Sequence, residues 1–105
     1  MRFVETPIFT AQIVEALDDL SYRKLQLALL LRPEQGVLIQ GSGGLRKLRW
    51  AGSGRGKRGG VRVIYFWHPD DEVFYMLYVY PKNEKSDLTP AQVRILRRLV
   101  EEQFK

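Results

Sequence analysis

Seven cations share one acid-free stretch. Between Gln35 and His68 stand Arg46, Lys47, Arg49, Arg55, Lys57, Arg58 and Arg62, with no Asp or Glu among them. This window alone exceeds the formal net charge of +5 of the 105-residue chain, so the remainder is net acidic. A one-sign segment on a folded domain attracts polyanions through Coulomb steering and counterion release, and nucleic acid is the commonest target. The bland alternative is a basic loop kept for solubility. Arg62 is distinctive because it interrupts the apolar run from Val61 to Trp67. A permanent cation is costly to bury unless it is paired or lines a wet surface. Strand alternation puts Lys47 and Arg49 on one face of residues 45–51 and Arg46 on the other. If the neighbouring strand directs Arg62 to the same side as Lys47 and Arg49, that sheet face is the floor of an open groove that wants an anion. Otherwise Arg62 pairs with a distant acid such as Glu84 or Asp87.

Other chemistries find few residues. The chain has no cysteine and one histidine, His68, which excludes disulfides, thiolate metal sites and cysteine nucleophiles and leaves no zinc cluster. Gly52 to Arg58 reads G-S-G-R-G-K-R, one residue short between glycines for a nucleotide loop, with Arg58 where a magnesium-binding Ser or Thr belongs. Nucleotide hydrolysis is rejected on that ground. The loop's Arg55, Lys57 and Arg58 suit a phosphate backbone, or else form a solvated hairpin tip. Asp18/Asp19, Asp70/Asp71/Glu72 and Glu101/Glu102 read as surface caps, and His68 as a turn residue at a strand end. No run approaches the roughly 18 apolar residues of a membrane span, and the first residues lack a signal peptide's apolar core, so the expected location is cytoplasmic.

The elements that must position the cations follow from pattern. Length and a 45 % hydrophobic, 28 % charged composition fit a single globular domain over residues 1–105. Residues 2–5 read as a short strand. Thr6 as N-cap and Pro7 at the first turn begin a helix to about Asp18–Asp19. Ser21 is a cap for a second helix through Leu31, apolar around most of its circumference and therefore expected to be well buried; Pro33 stops it. Gly36 to Gly44 is a short apolar run and a flexible corner. Residues 45–51, 61–67 and 73–80 read as strands, the last two as a hairpin. Thr89, Pro90 and Gln92 form a capping box for a closing helix with Val93, Leu96, Leu99 and Val100 on its apolar stripe. The order β-α-α-β-β-β-α, an antiparallel sheet packed against helices, is an α+β architecture.

Three segments in this order, Gly44-Leu45-Arg46-Lys47-Leu48-Arg49, Gly59-Gly60-Val61-Arg62-Val63-Ile64-Tyr65 and Tyr80-Pro81-Lys82-Asn83-Glu84-Lys85-Ser86-Asp87-Leu88, resemble the RelE/HigB toxins of bacterial type II toxin–antitoxin systems. The likeness is closest to HigB-type members, through the glycine-rich basic insertion between two strands. The resemblance implies a compact RelE-like fold and a ribosome-dependent mRNA endonuclease. It also implies a cognate antitoxin, HigA-like and DNA-binding, alongside ribosome and mRNA as partners and no membrane. In such toxins the ribose 2′-OH attacks its own 3′-phosphate without metal or cofactor. A lysine or similar group helps to activate the 2′-OH, and arginines stabilise the charged phosphorane. Carried over by position, the catalytic set is Lys47, Arg49, Arg62 and Lys82, and the RNA- or ribosome-binding set is Arg46, Arg55, Lys57, Arg58 and Lys85. The chain departs from the best-studied members at Asn83, where they have an arginine, and at Thr89, where they have a tyrosine.

Two other functions fit the same fold. A ParE-like toxin poisons DNA gyrase and needs no catalytic basic cluster; the row Lys47, Arg49, Arg62 favours the nuclease over it. A non-catalytic RNA- or ribosome-binding module would use the same cations only to hold phosphates.

Overall fold

A computed structural model of the chain describes residues 1–51, 60–82 and 87–104. The elements are β1 (Arg2–Glu5), α1 (Pro7–Ala16), α2 (Asp19–Leu31), β2 (Val37–Leu38), β3 (Arg46–Trp50), β4 (Val61–His68), β5 (Val73–Pro81) and α3 (Pro90–Gln103). The strands form one sheet in the order β1-β5-β4-β3-β2. This is the expected α+β class with two refinements. First, β1 joins β5 in parallel, which makes the sheet mixed. Thr6 locks that return, donating its N–H to Met76 O at 3.0 Å and its Oγ1–H to Leu77 O at 2.8 Å. Second, Val37–Leu38, read from sequence only as an apolar run, adds a fifth, two-residue edge strand antiparallel to β3.

Helix starts follow local chemistry. Thr6 Oγ1 accepts from Phe9 N at 3.1 Å, with Pro7 behind it in the first turn. The second helix is capped by Asp18 instead of Ser21. The Asp18 carboxylate accepts from Ser21 N at 2.7 Å, because Asp18 is the residue with extended backbone and Ser21 lies three positions inside the helix. Trp50 Nε1 donates to the Ser21 hydroxyl at 3.2 Å. Thr89 and Gln92 complete the expected capping box of α3.

Helices cover both faces of the sheet. On one side Phe9, Ile13, Leu25 and Leu29 of α1 and α2 pack with Val61, Val63, Tyr65, Phe74 and Met76. On the other, Leu96 and Val100 of α3 pack with Leu45, Ile64, Tyr75, Leu77 and Tyr80. Strands β4 and β5 are thus buried on both sides, the physical reason for their unbroken apolar composition. The expected burial of α2 does not hold all round: Leu25 and Leu29 are sealed, whereas Leu20, Leu27 and Leu31 are 55–83 % exposed. A helix lying on a sheet has only one neighbour, and its far side faces solvent whatever its composition.

The corner after β2 is a hydrogen-bonded turn. Ser42 is buried, donates its hydroxyl to Ile39 O at 2.5 Å and accepts from Leu45 N at 3.0 Å. Arg97 on α3 reaches across to Gly41 O at 3.3 Å, tying this turn to the helix. Upstream, Tyr65 holds the approach to β2. Its hydroxyl donates to Pro33 O at 2.8 Å and accepts from Gly36 N at 3.0 Å. A Cβ at Gly36 would stand 2.8 Å from the Tyr65 ring, so this close approach requires glycine.

Candidate functional site

The β3–β4 register decides which cations meet. Lys47 lies opposite Ile64, and Arg49 lies directly opposite Arg62. Lys47, Arg49 and Arg62 therefore share the face on which α3 packs. Arg62 is in turn opposite Tyr80 of β5. Like charges placed directly across a ladder repel, so the Arg49–Arg62 pair weakens the sheet where it stands. Arg46 belongs to the other face, as alternation requires. Its Nη1 donates to Glu34 O at 3.0 Å and Gly36 O at 2.8 Å, and its Nη2 lies 3.5 Å from the Glu34 carboxylate. These contacts support the approach to β2, well apart from the Lys47 row.

Arg62 differs from the expected floor of an open groove. It is only 4 % exposed, and its Nε and Nη1 are buried with no hydrogen-bond partner among the described residues. Arg49 is exposed at the rim and Lys47 lies between these extremes. The result is a graded row: one cation sealed beneath the surface, one half-buried, one in solvent.

A carboxylate lies beside that row. Asp87, from the polar link before α3, accepts a hydrogen bond from Lys47 Nζ at 2.5 Å. That bond, with the ammonium charge behind it and a smaller contribution from Arg62, holds the Asp87 carboxyl below its ordinary 3.8. Of the two acids named from sequence as possible partners of Arg62, Asp87 is bonded to Lys47, and Glu84 lies outside the described residues. Burial raises the Tyr80 hydroxyl above its ordinary 10.0; the Asp87 charge adds to that and Arg62 opposes it. Tyr80 and Asp87 were not among the expected site residues. Tyr80 read as one more aromatic of a buried strand, and only the register sets it beside Arg62.

Lys82 follows the end of β5, exposed, with its N–H donating to Gly60 O at 3.2 Å. It is thus fixed to the start of β4, two residues from Arg62. Arg55, Lys57, Arg58 and Lys85 fall outside the described residues, as does Asn83. Thr89, at the position where the best-studied relatives of the resemblance have tyrosine, has a structural task as the N-cap of α3.

A groove of about 520 Å³ opens beside Lys47, between β2 and the first turns of α3. Val37, Leu38, Leu88, Pro90 and Val93 wall it, and Lys47, Asp87 and Arg94 supply its charge. No helix among the described residues is long and apolar enough to cross a membrane.

The register thus concentrates positive charge on the α3 side of a small mixed sheet that helices back on both faces. Residues 17–105 match the family model described as the RelE toxin of the RelE/RelB toxin–antitoxin system. The chain belongs to the RelE toxin family. As a RelE-family protein it is the toxin component of a type II toxin–antitoxin system, and an antitoxin is its partner. The match begins in the connection between α1 and α2 and takes in Lys47, Arg49, Arg62, Lys82 and Arg94.

Proposed function

We propose that this RelE-family toxin is an endoribonuclease that cuts mRNA on the ribosome, with Lys47, Arg49, Arg62 and Lys82 as its catalytic cations. The observation that carries this reading is the convergence of Lys47, Arg49 and Arg62 on one sheet face through the β3–β4 register. Folding alone gives no reason to set Arg49 opposite Arg62. A reaction that builds negative charge on phosphorus does, because preorganised cations stabilise that charge most where water is excluded.

In the step itself, the 2′-oxygen forms a bond to its adjacent phosphorus and the bond from phosphorus to the 5′-oxygen breaks. The products are a 2′,3′-cyclic phosphate and a free 5′-hydroxyl. The 2′-OH proton passes to a base and the departing oxygen receives one. Guanidinium groups remain protonated, so Arg49 and Arg62 act as charge stabilisers, and proton transfer falls to the lysines. Lys47 is held by Asp87 and Lys82 is held by its backbone to Gly60, which places a lysine on either side of the arginine pair. The HigB-type likeness and a HigA-like, DNA-binding antitoxin belong to the same proposal, as do ribosome contacts by Arg46, Arg55, Lys57, Arg58 and Lys85.

Primer extension on cellular mRNA after brief expression tests the reading. Discrete cuts within translated frames are expected, and they should vanish in the Lys47→Ala variant. Intact mRNA accompanied by gyrase-linked DNA breaks would assign the chain to the ParE-like mode instead. Ribosome association without any cut would make it a binding module.

A further inference from the structure

The groove opens directly beside the cation row. Lys47 is the hinge between the two: it stands in the row with Arg49 and Arg62, and it also lines the groove. Val37 is its ladder partner on the edge strand, so the apolar wall begins one strand away from the ammonium group. That wall is solvent-facing, with Val37 70 % and Leu38 57 % exposed, and Leu88, Pro90 and Val93 oppose it from the α3 side. Two apolar walls around a space of about 520 Å³ accept a flat, weakly polar body, and the volume is ordinary for a small-molecule site.

The charges narrow the occupant. Lys47 and Arg94 bring two cations to the groove and favour a ligand with phosphates. Asp87 brings an acceptor-only carboxylate; its Oδ1 takes the Lys47 bond, and the group is 69 % exposed. Carboxylates read base edges by accepting from exocyclic amino groups. A base held between apolar side chains, with its edge toward a carboxylate, is a recurrent way to bind an unstacked nucleotide.

We propose that this groove is a nucleobase subsite for the nucleotide adjoining the scissile phosphate. Asp87 accepts from the exocyclic amino group of adenine, cytosine or guanine, and Arg94 takes the next phosphate along the strand. Uracil, which has no amino group, is the disfavoured base. The inference rests on the proposed nuclease activity and adds the part of the site that chooses where to cut.

Transcript-wide mapping of cut ends after brief expression, in cells making the wild-type toxin, Asp87→Asn or the double variant Val37→Ser/Arg94→Gln, tests it. The wild type should disfavour uracil about tenfold at one fixed position beside the cut, the scale of one good base-edge contact. Asp87→Asn keeps a side-chain oxygen that can accept from Lys47, so it should cut more slowly and with that preference erased or inverted, since the amide offers a donor where the carboxylate only accepts. The Val37→Ser/Arg94→Gln double variant should cut several-fold more slowly with its fold intact by circular dichroism, because both wall residues altered are outside the packed core. Cuts by the wild type with no base preference at that position, or a preference unchanged in Asp87→Asn, would overturn the subsite while leaving the nuclease standing. Groove variants that cut as before but bind antitoxin more weakly would overturn it too, and would give the groove to the antitoxin. No cuts from the wild type would fail the nuclease reading itself.

Discussion

Arg62 holds the sharpest conflict between folding and function in the molecule. Its guanidinium is 4 % exposed, has two nitrogens without a described partner, and lies across the ladder from Arg49. Replacing a buried, poorly compensated ion with an apolar side chain of similar length is often neutral or stabilising. The Arg62→Met variant should therefore melt at or above the wild-type temperature while losing RNA cleavage, a trade between stability and activity. Thermal unfolding beside a primer-extension assay checks both halves; a melting temperature lower by more than about 5 °C, roughly 1 kcal/mol in a domain this size, would show that Arg62 supports the fold. Asp87 gives a second test. Its carboxyl is lowered by Lys47, so the pair contributes stability above pH 3.8 and loses it as the pH falls through the lower folded-state value. Because the group is largely exposed, that contribution is small and screened by salt. Carboxyl NMR titration should place Asp87 below 3.8 at low ionic strength and nearer to it in about 1 M salt, where the Debye length is about 3 Å. A titration at 3.8 in both conditions would mean that the Lys47 contact does not persist in solution.

Strands and helices place these groups through a few unforgiving contacts. Gly60 begins the β4 approach with φ 72°, and a Cβ there would stand 2.1 Å from Trp50 O. The neighbour is backbone and cannot swing aside, so Gly60→Ala should cost at least about 2 kcal/mol. The same change should also disturb the Arg49–Arg62 register, so urea unfolding and cleavage should fall together. Unchanged stability would mean that the β3–β4 closure relaxes locally. On α2, apolar residues two positions apart point to opposite sides of the helix and have opposite fates. Leu29→Ala should cost about 2–5 kcal/mol by emptying a sealed site. Leu27→Ala, at an exposed position, should stay within about 0.5 kcal/mol. Equal losses from the two would contradict the one-sided packing of the helix.

Across the whole molecule, exposed apolar side chains stand on both sides of the sheet, Val37 and Leu38 beside the cation row and others on α1 and α2. The cation row faces the α3 side of the sheet, whereas Val14, Leu20, Leu27 and Leu31 are exposed on the helices of the opposite side. On the proposed nuclease reading the antitoxin must silence the first, and an acidic segment laid on it is favoured electrostatically. Hydrogen exchange on the toxin–antitoxin complex should show added protection in residues 45–51 and 60–68. Protection confined to α1 and α2, with β3 and β4 exchanging as in the free toxin, would mean that inhibition works by bulk from the far side. Association should slow at least about tenfold from low to high salt while dissociation changes little, since steering acts on encounter.

The sequence by itself determined the α+β class, the Thr6 and Thr89 caps, the three long strands and the one-sign window, because each is written in local pattern: cap chemistry, apolar period and charge run. It also placed Arg46 opposite Lys47 and Arg49, since pleat alternation is local. Which strand neighbours which, and in what register, is not local. The parallel return of β1 to β5, the edge strand Val37–Leu38 and the facing of Arg49 by Arg62 all depend on contacts between distant segments. Asp87 was legible as an acid in a polar link, but its bond to Lys47 spans 40 residues and needs β3 and α3 already in place. The burial of Arg62 was likewise beyond pattern. Alternation gives the face a side chain points to, and only the packed structure decides whether that face is covered.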